Sequence, residues 1–220
     1  MTSDKAPSAF VLPAALLSEG YRLRPETEDD TVFLIQLYAT TRMAELEPTP
    51  WTADQKWAFV AQQFELQRLH YRTHYADTAF DVIEQNGIPA GRFYLQEVAG
   101  QFRIIDILLM PEWRGKGVGT AILEALMDRA RAAGKDIDIF VEKFNPALDW
   151  YRRLGFKEFE DMEVYLEMRW SAHASVDPRP PWRPAIVDQL NVAQYSTPVS
   201  FSPAGTMKIA RSPMASWRNW

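Results

Sequence analysis

Residues 104–119, IIDILLMPEWRGKGVG, constrain this chain more than any other stretch of it. An apolar strand runs into Arg-Gly-Lys-Gly-Val-Gly. The residues that follow, TAILEALMDRARAAG, keep Ala121, Ile122, Ala125, Leu126 and Ala130 on one helical face before Gly134 supplies a C′ stop. A strand, a glycine loop and a helix in this order make a cradle for phosphate. Glycines at 115, 117 and 119 tolerate positive φ and let the backbone come close to a ligand, so amide N–H groups can turn inward. The first turn of the helix aims its unpaired amides and the positive end of its dipole at the same point.

Two familiar glycine loops fail by count. A Walker A loop needs a Gly five residues before Gly-Lys and Ser or Thr after it, but position 110 is Met and Gly117 follows Lys116. A dinucleotide fingerprint needs GxGxxG or GxGxxA; its last place holds Thr120 counted from Gly115 and Ile122 counted from Gly117.

The pattern that fits is Arg-x-x-Gly-x-Gly, filled by Arg114, Gly117 and Gly119. Downstream, the strand-like IDIFVEK of residues 137–143 leads to NPALDWYRRLGF, residues 145–156. That segment reads as a short helix with Asn145 as N-cap, Pro146 at N1 and Gly155 closing it. Together and in this order, the two motifs resemble the GCN5-related N-acetyltransferase (GNAT) family, most of all its small bacterial members. The resemblance extends upstream to YRLRP at residues 21–25 and ends near Trp170.

The resemblance implies an α/β fold with a mixed, mostly antiparallel central sheet flanked by helices, and acetyl-CoA as co-substrate with no metal. It assigns the pyrophosphate to the backbone of Arg114, Gly115, Lys116, Gly117, Val118 and Gly119, with Thr120 at the helix start. Backbone groups of Ile107, Leu108, Leu109 and Met110 would pair with the amides of the pantetheine arm like an added strand. Tyr151 matches the family tyrosine that protonates the coenzyme thiolate, and Asn145 belongs to the same turn. The Asn145 to Tyr151 spacing is six, whereas some members have seven.

Acetyl transfer to an amine needs an uncharged nucleophile, a stabilised oxyanion and a proton for the departing thiolate. An alkyl amine has a pKa of about 10, so a base must take its proton near neutral pH. Asp106 is the first candidate because it interrupts an apolar run, where a buried, unpaired carboxylate favours its protonated form. Its strand also resembles the Asp-x-Leu-Leu strand of aminoglycoside 6′-N-acetyltransferases, in which that Asp serves the amine. The structural alternative is a pair with Arg92 or Arg103 across the sheet. Glu142 is the second candidate, at the end of its strand, and Glu97 a third. Glu45, Glu47, Trp51, Tyr71 and Tyr75 are candidates to line an amine pocket, although each also suits plain surface or core. His70 and His74 share a helix face at metal spacing but lack the Glu of a zinc-binding helix, and no metal is expected.

Composition agrees with a catalytic domain carrying extensions. At 220 residues and 47% hydrophobic, the chain is long enough to bury a core, and zero cysteines remove disulfides, thiolate metal sites and any Cys nucleophile. Net charge is −5, but residues 171–220 hold five Lys/Arg against two Asp, leaving 19 Lys/Arg and 27 Asp/Glu in residues 1–170. An acidic body speaks against nucleic acid and suits a cationic partner such as an amine, though solubility alone also explains it. No membrane span or signal peptide is expected, which places the protein in the cytoplasm.

Residues 1–20 read as an N-terminal arm, 21–170 as the N-acetyltransferase domain, and 171–220 as a largely irregular tail holding seven of the fifteen prolines. Residues 189–201 are a candidate edge strand, pairing within this subunit or across a homodimer. The expected function is transfer of an acetyl group to a primary amine of a small molecule or peptide. A relative that binds acyl-CoA as a sensor or scaffold, without turning it over, is the competing reading.

Overall fold

The computed structural model describes residues 10–75 and 77–173, and the backbone of Val199–Phe201 and Met207–Ile209. Asn86 and Gly87 take φ of 52° and 81°, the turn geometry whose twist matches two antiparallel strands. They join β2 (Thr78–Gln85) to β3 (Ile88–Val98), and a second hairpin leads into β4 (Gln101–Leu109). With β1 (Tyr21–Pro25), β5 (Asp136–Glu142), β6 (Lys157–Met162) and β7 (Tyr165–Trp170) these strands form a seven-stranded sheet in the order β1-β2-β3-β4-β5-β7-β6. Every pairing in it is antiparallel except β4 with β5, which are parallel and connected through helix α4 (Val118–Ala133). This is the mixed, mostly antiparallel sheet that the family resemblance implies.

Strand alternation sorts the side chains onto two faces. On one face Phe93, Leu95, Ile104, Ile137, Ile139, Val141 and Met168 share an apolar cluster with Ile122 and Leu126 of α4 and with Leu148 and Tyr151 of α5 (Leu148–Arg153). Phe10, Leu12 and Leu16 join the same cluster, and the Phe10 ring meets Phe93 edge-on at 5.4 Å. The segment before Tyr21 therefore carries a short helix, α1 (Ala14–Ser18), and part of the core, which the sequence reading of an arm lacks. Its apolar run is too short to show a helical period. Residues 1–9 lie outside the described residues.

The opposite face carries buried charge. Arg103, Asp138 and Arg169 are register partners across β4, β5 and β7. Arg169 donates to both oxygens of Asp138, at 2.6 and 2.9 Å, reaches Glu167 at 3.3 Å, and lies 3.8 Å over the Phe159 ring. Burial raises the Asp138 pKa against the pull of Arg169, and burial together with the Asp138 charge pushes Glu167 up to about 7.

The chain divides into two compact units. One holds the sheet with α1, α4 and α5. The other takes in α2 (Thr31–Leu46) from Ile35 onward and α3 (Ala53–His74). Within it the Tyr38 and Phe64 rings meet at 6.1 Å, joining the two helices. A capping box opens α3: Gln55 N–H donates to Thr52 Oγ1 at 3.3 Å and Thr52 N–H to Gln55 Oε1 at 2.9 Å. In the tail, β8 (Val199–Phe201) pairs antiparallel with β9 (Met207–Ile209), while residues 189–198 of the candidate edge strand lie outside the described residues. Among the described residues no helix is long and apolar enough to cross a membrane.

Two stability predictions follow from the charged face. Arg169→Leu removes the guanidinium that bonds both Asp138 oxygens and leaves that buried carboxylate to Arg103 without those bonds, and should cost about 3–5 kcal/mol in urea unfolding. Glu167 is protonated more readily folded than unfolded, so folding takes up a proton between its ordinary value of 4.5 and about 7, and its contribution to stability falls as pH rises through that window. Glu167→Gln should therefore gain stability relative to the parent as pH goes from about 5 to about 8, read from urea midpoints across that range.

Candidate active site

β4 and β5 pair only from Gln101↔Asp136 to Ile104↔Ile139. There β4 bulges: Leu95 of β3 faces Ile104 but Tyr94 faces Asp106, which makes Ile105 the extra residue. Beyond the bulge β4 stays with β3 as far as Gly91↔Leu109, and β5 stays with β7 as far as Glu142↔Tyr165. The two strands part, leaving a gap. Met110 N–H donates to Ala90 on β3 at 2.9 Å. By alternation Leu108 and Met110 address β3, whereas the backbone groups of Ile107 and Leu109 address the gap. Of the four residues expected along a pantetheine arm, these two turn their backbone groups to the gap and the other two to β3.

After a single 3-10 turn at Pro111–Trp113, Gly115 and Gly117 take φ of 71° and 82°, and Gly117 caps α4 by accepting from Ala121 N–H at 2.9 Å. Gly115, Lys116 and Gly117 are exposed, Val118 is buried, and Gly119 and Thr120 are half-buried in the first turn. Arg114 folds back, its Nε donating to the Leu109 carbonyl at 2.7 Å. Gly119 answers a different need from its neighbours: a Cβ there would lie 3.3 and 3.4 Å from Cη2 and Cζ2 of Trp150. The same indole donates from Nε1 to Thr120 Oγ1 at 3.1 Å. Trp150 has no role in the sequence reading, since its partners lie about 30 residues away in the chain and no local pattern marks it.

Asn145 accepts from Ala147 N–H at its side chain, at 2.9 Å, and from Leu148 N–H at its carbonyl, at 3.1 Å. This Asx turn delays the regular helix to Leu148, two residues later than an N-cap at Asn145 predicts. Tyr151 is buried at 4% exposure, with the Trp150 ring at 4.8 Å and Phe156 at 5.6 Å. Burial first, and then the Asp106 charge, push its phenol well above the ordinary tyrosine value, so it keeps its proton at neutral pH.

Asp106 is not enclosed as its apolar run predicts. Its side chain is 17% exposed because β5 has already left β4, and one carboxylate oxygen takes Arg92 Nη2 at 2.5 Å. Arg92, itself 2% exposed, lies 5.2 Å over the Tyr94 ring, and the Tyr94 hydroxyl donates to Glu26. Of the two arginines offered as partners by the sequence, the structure selects Arg92. Glu142 ends β5 on the same sheet face as Asp106, across the gap, since Val141 before it points into the core. It is half-buried and accepts from the Tyr165 hydroxyl at 3.4 Å. Glu97 sits at the other end of β3, held by Lys135 at 2.7 Å and Arg129 at 2.6 Å, with Lys135 foremost in lowering its pKa.

The remaining candidates are individually accounted for. Glu45 pairs with Arg42 at 3.0 Å, Glu47 is exposed, and Trp51 packs on Phe59 at 5.2 Å. Tyr71 and Tyr75 are buried, and burial pushes the Tyr75 phenol up to about 12. His70 and His74 stack at 4.3 Å, His74 Nδ1 facing the His70 carbonyl at 3.0 Å, and burial draws His70 down to about 4. Among the described residues no group of three or more His, Cys, Asp or Glu side chains converges as a metal site.

A parallel pair that parts beside a glycine-capped helix sets an open strand edge next to an anion-binding helix start. The chain belongs to the acetyltransferase (GNAT) family, whose model matches residues 37–156. An uncharacterized N-acetyltransferase of Methanocaldococcus jannaschii is 28% identical over 164 residues, 69% of this chain and 67% of that relative. A mycothiol acetyltransferase of Clavibacter michiganensis is 35% identical over 77 residues, 34% of this chain and 25% of the relative. Among solved structures, the PaiA N-acetyltransferase of Thermoplasma acidophilum, determined in complex with coenzyme A, superposes with a TM-score of 0.52 at 16% identity, covering 69% of this chain and 98% of that one. A Pyrococcus horikoshii protein gives 0.51 at 15% identity, with the same coverage. These structures share the fold; the family match makes the protein an acyltransferase.

The φ of 82° at Gly117 carries a direct test. Gly117→Ala should lose about 1–2 kcal/mol in urea unfolding, whereas Gly117→Asn, a residue that tolerates the left-handed region, should lose less.

Proposed function

We propose that the protein transfers an acetyl group from acetyl-CoA to a primary amine of a small molecule or peptide by direct attack on the thioester. The observation that carries this reading is the parting of β4 and β5, which leaves the backbone groups of Ile107 and Leu109 facing a gap. A pantetheine arm carries amides that match such an edge. The left-handed Gly117 and the first-turn amides of Val118, Gly119 and Thr120 suit the pyrophosphate.

In this reading the amine nitrogen attacks the thioester carbon, forming the N–C bond and a tetrahedral oxyanion. The C–S bond then breaks, and the sulfur takes the Tyr151 phenolic proton. A phenol that burial and a neighbouring carboxylate keep protonated is suited to donate, not to accept. The ammonium proton leaves to a carboxylate on the far sheet face, directly or through water. Glu142 is the better placed of the two: one Asp106 oxygen is committed to Arg92, so Asp106 serves chiefly to hold charge beside Tyr151.

Acetyl-CoA titrated into the protein by calorimetry, followed by thiol release with a panel of amines, tests the proposal. Failure to bind coenzyme at millimolar concentration overturns it. Tyr151→Phe should lower kcat at least about a hundredfold, the lower end of what a general acid contributes, while coenzyme affinity persists. Binding without thiol release for any amine would favour the sensor reading instead.

A further inference from the structure

We infer that Trp150 is a positioning residue for the phosphate cradle: it fixes the Thr120 hydroxyl as a donor toward the diphosphate of the bound acyl-CoA. The inference rests on the acetyl-CoA reading and extends it to a residue outside the glycine motif. A threonine hydroxyl has one proton and two lone pairs, and an indole N–H only donates. With Trp150 Nε1 donating to Thr120 Oγ1 at 3.1 Å, the hydroxyl proton must point away from the indole. Among the described residues no hydrogen bond accepts that proton.

Thr120 is the third residue of α4, counted from its Gly117 cap, and Ala121 N–H is the first amide to bond back to Gly117. The N–H groups of residues 118, 119 and 120 are thus the ones left for an anion, and the Thr120 hydroxyl stands among them. A diphosphate placed there takes the hydroxyl proton together with the amides, as a charge-assisted bond. The indole also braces the turn itself, since its six-membered ring lies against Gly119 where a side chain would otherwise begin. Trp150 is followed directly by Tyr151, with the two rings 4.8 Å apart. Consecutive residues of α5 therefore brace the diphosphate and supply the proton to the thiol, so that one short helix positions both parts of the co-substrate.

Calorimetric titration with coenzyme A and with acetyl-pantetheine, which lacks the diphosphate, separates this role from general packing. Trp150→Phe removes the donor and also withdraws the outer ring atoms from Gly119, so the Thr120 variants read the hydroxyl by itself. The Trp150 variant should weaken coenzyme A binding by about tenfold, the scale of one hydrogen bond to a charged group, and leave acetyl-pantetheine binding unchanged. Thr120→Val should do the same, Thr120→Ser should retain the parent affinity, and the double variant Trp150→Phe with Thr120→Val should bind no more weakly than Thr120→Val alone. Equal losses for both ligands, or losses that add in the double variant, overturn the assignment. If Trp150→Phe does not fold, the Thr120→Val and Thr120→Ser pair decides alone: a loss that Ser does not avert, or one shared by acetyl-pantetheine, overturns it. Parent protein that binds neither ligand overturns the acyl-CoA reading as well, so the two failures are distinguishable.

Discussion

The parting of β4 from β5 after Ile104 governs everything that this enzyme's sheet can do. Two parallel strands that stayed paired to their ends would satisfy each other's backbone groups and leave no edge inside the sheet. One extra residue at Ile105 bends β4 away with β3, while β5 follows β7. Backbone groups that would be costly to strand in a dry core are tolerated here because the gap is open. The same departure keeps Asp106 from being sealed in, allows Arg92 to reach it from β3, and lets its charge act on Tyr151 from across the sheet.

Around that gap the two faces of the sheet divide the labour. The apolar face seats α4 and α5, which bring the glycine-capped helix start and Tyr151. The other face is charged, and its buried members come as partners in register: Arg103 beside Asp138, Asp138 beside Arg169. A carboxylate on this face can stand at the gap without disturbing the core that holds the helices. Glu142 and Asp106 stand on that face on opposite strands, one meeting a hydroxyl donor and the other a guanidinium.

Much of this was legible in the sequence where local chemistry decides the outcome. Asn86-Gly87, the Thr52/Gln55 box and Gly134 each encode a turn or a cap within a few residues, and the structure follows them. The glycine loop and α4 were equally plain, because three glycines and a helical period stand side by side. What stayed hidden depends on partners distant in the chain. The bulge at Ile105 is visible only against β3, and α1 earns its place only through Phe93 and the rest of the core. Trp150 was unreadable for the same reason: its contacts are with residues 119 and 120, which sequence reading had already given to the ligand.

The contact between Trp150 and Gly119 also ties two positions together in any variant of this chain. Helix α4 has glycine at the second place of its first turn, where alanine would favour the helix by about 1 kcal/mol. With the indole 3.3 Å from the spot a methyl would occupy, that gain is closed to the protein unless the tryptophan shrinks or shifts. Positions 119 and 150 therefore should vary as a pair across related chains: a small residue after the loop where the helix below carries an indole, and a free choice where it does not.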